Sequence, residues 1–544
     1  MEILNLKELV EQNAKKFRDS VAYQMKRDGK YQTFTYHDVF LKVCALQKKL
    51  RMMGVGVRDR VALLSESRPE WSVSYLAIGS MGAVVVPLDA MLKKEDIHPL
   101  IADSEPKAFI LSDKFLEFSK GTMLEGKEIR MDDFDKLPSS AGMAEETVSL
   151  DSLLAIVYTS GTTGSPKGVM LTHRNVISDA TAGASCFELS PKDNFLSVLP
   201  MHHMFETTGG IIAPFLCGCR VTYIESLKSY NLIAAMQETG VTLMLGVPLL
   251  YQLLFDGIMR EVEEKGKQKL FGLLFSISRF CRDIIGINVG RKLFSVIHKK
   301  FGGKIRFFVS GGAAIAPDLV HGFDLMGFPI IQGYGLTESS PVLTITTLRD
   351  NVIGSVGRAV PGVEVMIAGD DPVGEILGRG PNIMKGYYKR KDLTDKVLIN
   401  GWLWTGDIGY LDDTGHLFIT GRSKDVIVTG SGVNVYPEEI EITLKKVAAF
   451  KEVCILGEKM KEGARRGMEV VIAIIHPNYE YFEKQGKNDD EAFVKQVIDA
   501  EVQKYNQGTA EFKRIARFII RKEEFPKTRL LKIKRFELRK ELGI

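Results

Sequence analysis

A chain of 544 residues is longer than one hydrophobic core serves, so at least two domains are expected. With 45% hydrophobic residues, 26% charged residues and a mean hydropathy of -0.00, the composition is that of a soluble globular protein. A net charge of +4 makes no case for nucleic acid, and neither a zinc-ligand spacing nor an RNA-binding aromatic pattern is present.

The opening residues Met1-Glu2-Ile3-Leu4-Asn5-Leu6-Lys7-Glu8 lack a basic stretch followed by an apolar one, so no signal peptide is expected. The uncharged stretch 71–88 is about as long as a membrane span. Its Ser72, Ser74, Gly79, Ser80, Gly82 and Pro87 instead favour a helix turning into a buried strand at 83–87. A second apolar run, 153–158, predicts another buried strand. After it comes Tyr158-Thr159-Ser160-Gly161-Thr162-Thr163-Gly164-Ser165-Pro166-Lys167-Gly168, which crowds hydroxyls, glycines and a lysine into one turn. Glycines let backbone N–H groups converge on an anion, hydroxyls add neutral donors and Lys167 adds charge, so the turn is built to hold phosphate. It is not a Walker A loop, because Pro166 precedes the lysine and Gly168 follows it.

Further along, β-branched runs at 241–245 and 305–309 alternate with helical periods, the pattern of α/β layers. The segment 259–300 is basic and amphipathic, stringing Phe271, Leu273, Phe280, Ile284 and Ile285 among Lys267, Lys269, Arg279, Arg282 and Lys292. Two readings stand side by side: contact with an anionic membrane surface, or helices packed on the large domain with their charges in water. From about residue 363 short strands alternate with Gly and Asp turns, giving a β-rich subregion that ends near Gly421-Arg422-Ser423-Lys424-Asp425. A strand at 469–475, a helix at 490–505 and a strand at 516–520 follow as a small α+β module. The expected organisation is thus a large multi-layer α/β domain over 1–423 and a small α+β domain over 424–544. The six cysteines are scattered, which suits free thiols in a reducing cytoplasm.

Several further motifs follow the turn at 158–168 in order. They are Leu199-Pro200-Met201-His202-His203, Ser310-Gly311-Gly312-Ala313-Ala314, Gln332-Gly333-Tyr334-Gly335-Leu336-Thr337-Glu338, Gly401-Trp402-Leu403-Trp404-Thr405-Gly406-Asp407, Gly421-Arg422-Ser423-Lys424-Asp425 and Pro526-Lys527-Thr528-Arg529-Leu530-Leu531-Lys532. Together they resemble the core motifs of the adenylate-forming superfamily: acyl-CoA synthetases, peptide-synthetase adenylation domains and luciferases. The resemblance spans nearly the whole chain, and among these enzymes it is strongest to long-chain fatty acyl-CoA synthetases.

The resemblance implies roles residue by residue. Thr159, Ser160, Gly161, Thr162, Thr163, Gly164 and Lys167 would wrap the β- and γ-phosphates of ATP. Thr337 would contact the α-phosphate and Glu338 would be the Mg²⁺ carboxylate. Gly311, Gly312, Ala313, Gly333, Tyr334 and Gly335 would wall the adenine. Asp407 would accept from the ribose hydroxyls, with Arg422 on ribose and phosphate. Lys532 would bridge substrate carboxylate and α-phosphate. Leu531 departs from the commonest pattern by standing where many members have glycine. Lys424 matches a hinge whose rotation withdraws Lys532 so that a thiol can reach the adenylate, and 429–434 would line the pantetheine tunnel.

His203 matches a position beside the acyl carboxylate, flanked by His202 and Phe205. Glu206 is out of register for pairing a substrate ammonium, which disfavours an amino acid. The apolar, glycine-bearing run 207–216 suits an alkyl tunnel and equally suits core packing. The expected activity is ATP-dependent activation of a medium- or long-chain fatty acid, ending on coenzyme A. Acyl carrier protein is the alternative acceptor, with the basic tail and Arg465-Arg466 as its docking candidates. A luciferase-like oxygenase is the alternative of another class.

Overall fold

Runs of β-branched and aromatic residues assemble into two large sheets in the computed structural model, which describes residues 4–140, 142–159, 166–429, 434–460, 469–487, 490–527 and 533–544. The chain divides into two compact units, Met1–Val365 with Leu377–Trp404, and Met366–Ile376 with Thr405–Ile544. This is the expected class, a large α/β domain and a smaller α+β domain.

In the first unit a seven-stranded sheet runs in the order Gly386–Tyr387, Lys167–Thr172, Leu153–Thr159, Val84–Pro87, Arg60–Leu64, Ala108–Leu111 and Glu128–Arg130. A nine-stranded sheet has at its centre the parallel strands Ile330–Gly335, Phe307–Ser310, Leu243–Gly246 and Asn194–Ser197. Their near-continuous apolar character reflects burial on both faces.

The helix Pro69–Ser80 is buried along its whole length and touches strands of both sheets. From Trp71 onward it forms the first part of the uncharged stretch 71–88 that matches a membrane span in length. Its hydroxyls find partners inside the protein: Ser72 shares a hydrogen bond of 2.7 Å with the Tyr223 hydroxyl, and Ser74 donates to the Glu70 carbonyl at 2.7 Å. Among the described residues, no helix is long and apolar enough to cross a membrane.

The second unit centres on the strands Phe450–Lys459, Glu469–Pro477 and Ile515–Ile520. Strand alternation sends Val453, Ile455, Val471, Ala473 and Ile475 to one face, where Val494, Ile498 and Val502 of the helix Glu491–Gln507 cover them. Cys454, Leu456, Ile472 and Ile474 face the other way, against Phe525 and Leu538. The second unit takes in residues from Thr405 onward, because 405–411 ladders antiparallel onto Leu417–Arg422. Lys424 therefore lies inside it, on an exposed turn.

Candidate active site

The strand Leu153–Thr159 turns back as Lys167–Thr172, with Thr159 opposite Lys167. Ser160, Gly161, Thr162, Thr163 and Gly164 lie outside the described residues. Lys167 places its Nζ 5.2 Å from the ring centre of Tyr387. Tyr387 is held there because Gly386–Tyr387 pairs with Val169 and Met170 as the edge strand of the same sheet. Its hydroxyl donates to Glu338 Oε1 at 2.8 Å, and burial together with Glu338 holds the phenol well above its ordinary value. One tyrosine thus ties the lysine of the glycine-rich turn to the glutamate of the later motif. Tyr387 carries no motif signal, and only strand pairing reveals it.

The remaining nucleotide candidates of this unit gather at the carboxyl ends of the parallel strands, where α/β sheets bind ligands. Ser310 and Gln332 are register partners on adjacent strands. The Ser310 hydroxyl and Gln332 Nε2 are both buried, with no hydrogen-bond partner among the described residues. Beyond them stand Gly311, Gly312 and Ala313 on one strand end and Gly333, Tyr334, Gly335, Thr337 and Glu338 on the other. Glycine is required at 335, because a Cβ there would lie 1.8 Å from the Pro341 carbonyl oxygen. Orphaned polar groups beside walls without side chains suit a flat, hydrogen-bonding base such as adenine.

The acyl-end candidates adjoin this floor. Phe205 begins the π-helical turn Phe205–Ile212, and its ring leaves only 3.0 Å to a Cβ at Gly311. Thr208 donates to the Ser340 carbonyl at 2.7 Å, fixing the turn against the Thr337–Ser339 segment. His202 Nε2 lies 2.9 Å from Asp89 Oδ2, and the His202 and His203 rings are 4.2 Å apart. Burial, then His202, pushes His203 down to about 3, so it is a neutral imidazole at physiological pH. Glu206 is fully buried and accepts from the Ser197 hydroxyl. Burial pushes its carboxyl up to about 8.

Two groups offer metal-ligand chemistry. Glu338 uses Oε1 for Tyr387 and has no hydrogen-bond partner on Oε2 among the described residues, which suits a hard cation that takes few protein oxygens. Asp89, His202 and His203 have ligand atoms within 4.8 Å of one another, but the Asp89–His202 contact already engages two of them.

Asp407 and Arg422 belong to the second unit, where they are register partners. Arg422 Nε lies 2.9 Å from Asp407 Oδ1, which fixes the buried carboxylate. Lys532 and 430–433 lie outside the described residues, as do Arg465 and Arg466. The chain flanking Lys532 is firmly held: Lys527 bridges Ile533, Lys527 pairs with Glu452 at 2.7 Å, and Lys534 N bonds the Pro526 carbonyl at 2.8 Å. Arg535, 16% exposed, reaches Glu441 at 2.7 Å, Glu438 at 3.2 Å and Asp425 at 3.6 Å.

Largely parallel sheets with glycine-walled strand ends and a lysine–tyrosine–glutamate cluster suit a nucleotide-binding enzyme, and comparison with known proteins narrows the class. Residues 10–388 match the family described as AMP-binding enzyme, and the chain belongs to it. It is 30% identical over 473 residues to long-chain-fatty-acid–CoA ligase FadD15 of Mycobacterium bovis, covering 81% of this chain and 78% of that protein. It is also 30% identical over 434 residues to 2-succinylbenzoate–CoA ligase of Listeria monocytogenes, covering 79% and 82%. The fold matches o-succinylbenzoate CoA synthetase (MenE) of Bacillus subtilis, solved with its acyl-adenylate OSB-AMP, at a TM-score of 0.79, 23% identity and 97% of both chains. The Mycobacterium tuberculosis fatty acyl CoA synthetase matches at 0.70 and 25% over 99% and 98%. The protein is an adenylate-forming acid–CoA ligase.

Proposed function

We propose that the acid is a medium- or long-chain fatty acid, joined to AMP with release of pyrophosphate and then passed to coenzyme A. The observation that carries this is the lack of a free charge in the segment that the resemblance places beside the acyl group. The segment 199–216 contains no lysine or arginine, and Glu206 is its only acidic residue. That residue is fully buried and already accepts from the Ser197 hydroxyl. A site lined by this segment would offer no free counter-charge to a substrate ammonium or to a second carboxylate, and it would suit an alkyl chain. The relatives named for fatty acids agree with this reading, although others are named for succinylbenzoate and indoleacetate.

A carboxylate is a poor electrophile, so it first attacks the α-phosphorus of ATP. Negative charge then concentrates on a pentacoordinate centre beside an incoming anion, and cations and donors must stand ready there. By family resemblance Lys532 bridges the two anions, Thr337 donates to the α-phosphate, and Lys167 with 159–164 grips the departing pyrophosphate. Glu338 would hold Mg²⁺, which neutralises phosphate charge. Gly311, Gly312, Ala313, Gly333, Tyr334 and Gly335 take the base, and Asp407 with Arg422 takes the ribose. His203, a neutral imidazole, is suited to donate a hydrogen bond to the acyl carboxylate without trapping it as an ion pair. For the second half-reaction, rotation about Lys424 withdraws Lys532 and the thiol of coenzyme A attacks the acyl carbonyl, expelling AMP.

Carrier protein is the weaker acceptor, because four of the tail cations that would dock an acidic partner are already engaged. Lys522 pairs with Glu491, Lys527 with Glu452, Lys534 with Glu537, and Arg535 with three carboxylates. The deciding experiment supplies oleate, succinylbenzoate and indoleacetate in turn with ATP and Mg²⁺, and measures pyrophosphate release and thioester formation with coenzyme A or carrier protein. Preference for oleate with coenzyme A is expected. Turnover of an aromatic acid in its place, or oxygen uptake without thiol, sinks the reading.

A further inference from the structure

Soluble proteins rarely leave a continuous row of large apolar side chains in water, because each costs free energy there. The helix Gln268–Asp283 does so. Leu270, Leu273, Ile277 and Phe280 recur at three- and four-residue spacing along it, and Ile284 and Ile287 continue the series past its end. All are exposed, from 41% at Ile277 to 72% at Ile284.

The opposite edge of the helix explains why this row is left over. Ser278 is the helix's one buried residue, and its hydroxyl donates to the Leu325 carbonyl at 2.6 Å. Phe271 and Phe275 turn inward and meet Phe294, with ring centres 5.3 Å and 6.4 Å away. Packing therefore consumes one apolar edge of the helix and leaves the other free.

Charge says what covers it. Within 259–300, Lys265 and Lys300 pair with Glu261 and Arg282 pairs with Asp324. Lys267, Lys269, Arg279, Lys292 and Lys299 form no ion pair among the described residues. All five are exposed. Lys267, Lys269 and Arg279, unpaired on the helix or at its N-cap beside the exposed apolar row, match a bilayer whose headgroups are anionic. A second copy of the chain fits worse. Symmetric contact through the same row would bring basic flank to basic flank, with Asp283 alone in the helix to offset them.

We propose that the row Leu270, Leu273, Ile277, Phe280, Ile284 and Ile287, with its unpaired cations, is a docking surface for anionic lipid bilayers. The helix lies in the plane of the headgroups with the apolar side chains inserted and the cations on phosphates. This surface stands apart from the choice of acid, and its test reads lipid binding rather than ligation.

Flotation of the full chain with equimolar phosphatidylglycerol and phosphatidylcholine vesicles, beside pure phosphatidylcholine, measures it. Wild type is expected to float with the anionic vesicles at low ionic strength and to release as salt rises. The combined change Leu273→Ser, Ile277→Ser and Phe280→Ser should weaken binding ~100-fold or more, as expected when three inserted side chains are lost. Reversal of Lys267, Lys269 and Arg279 to Glu should weaken it ~10-fold or more and flatten the salt dependence. All these residues are exposed, so the melting temperature should hold in both variants. Absence of flotation, equal flotation with neutral vesicles, or undiminished flotation of the serine variant overturns the proposal. A dimer that the serine variant dissolves, with no lipid binding, assigns the row to a second copy instead.

Discussion

Tyr387 donates its hydroxyl hydrogen to Glu338 Oε1 across 2.8 Å and at the same time offers its ring face to Lys167. The carboxylate is thereby held in one orientation, with its second oxygen available for a cation. A group that orients a ligating carboxylate typically contributes ~10–100-fold to metal affinity. Tyr387→Phe should therefore raise the Mg²⁺ concentration needed for half-maximal ATP–pyrophosphate exchange by about 10-fold or more at saturating acid. An unchanged Mg²⁺ requirement would leave the hydrogen bond a purely structural role.

Arg535 neutralises a buried acidic corner made by Glu441, Glu438 and Asp425. Taking away the guanidinium while keeping the bulk, as in Arg535→Met, leaves those carboxylates uncompensated, a loss on the order of 3–5 kcal/mol for a broken buried pair. Urea denaturation should register it, and Glu441→Gln added to Arg535→Met should recover part. If Arg535→Met unfolds at the wild-type midpoint, the corner is solvated and contributes little.

For Lys532→Ala the expected loss is in adenylation, by about 10²-fold or more, the scale of one preorganised charge donor. Thioester formation from supplied acyl-adenylate should persist. Single-turnover assays of each half-reaction separate the two, and equal damage to both would remove the bridging role.

Lys424→Pro should give the reverse pattern, since proline fixes φ at the proposed pivot. Thioester formation should slow more than adenylate formation in the same assays. Equal slowing discards the pivot.

Glu206 and His203 tilt stability in opposite directions with pH. Glu206 ionises at its ordinary 4.5 in the unfolded chain and at about 8 when folded, so the native state holds the extra proton between those values and loses stability as pH rises through them. His203 ionises at 6.5 when unfolded and at about 3 when folded, so stability rises with pH across that lower window. Glu206→Gln removes the falling limb alone. Relative to wild type, the variant should gain on the order of 4 kcal/mol between about pH 5 and pH 8. A difference that stays flat with pH would mean that Glu206 ionises normally in the fold.

Features that depend on residue type and order could be read from the sequence, whereas those that depend on which edges meet could not. The buried strands at 83–87 and 153–158 and the small α+β module announced themselves through apolar runs, and the structure has Val84–Pro87, Leu153–Thr159 and the Phe450–Ile520 elements there. Ser72 and Ser74 marked 71–88 as core because a hydroxyl in a helix can bond inside the protein. Tyr387 was silent, since its place follows from pairing with a distant hairpin. Asp89 gave no sign that it would meet His202, and Arg535 looked like one more cation in a basic tail until Glu441, Glu438 and Asp425 closed around it. The segment 259–300 was legible as amphipathic, yet the faces exchanged parts: Phe271, Phe275 and Phe294 went inward and the aliphatic row stayed out.

The bridge between Lys527 and Ile533 joins two described residues, and Lys527 is in turn pinned to Glu452 of the strand Phe450–Lys459. A change that loosens this strand therefore frees both ends of the bridge at once, so damage deep in the small unit's sheet reaches the surface through a single ion pair.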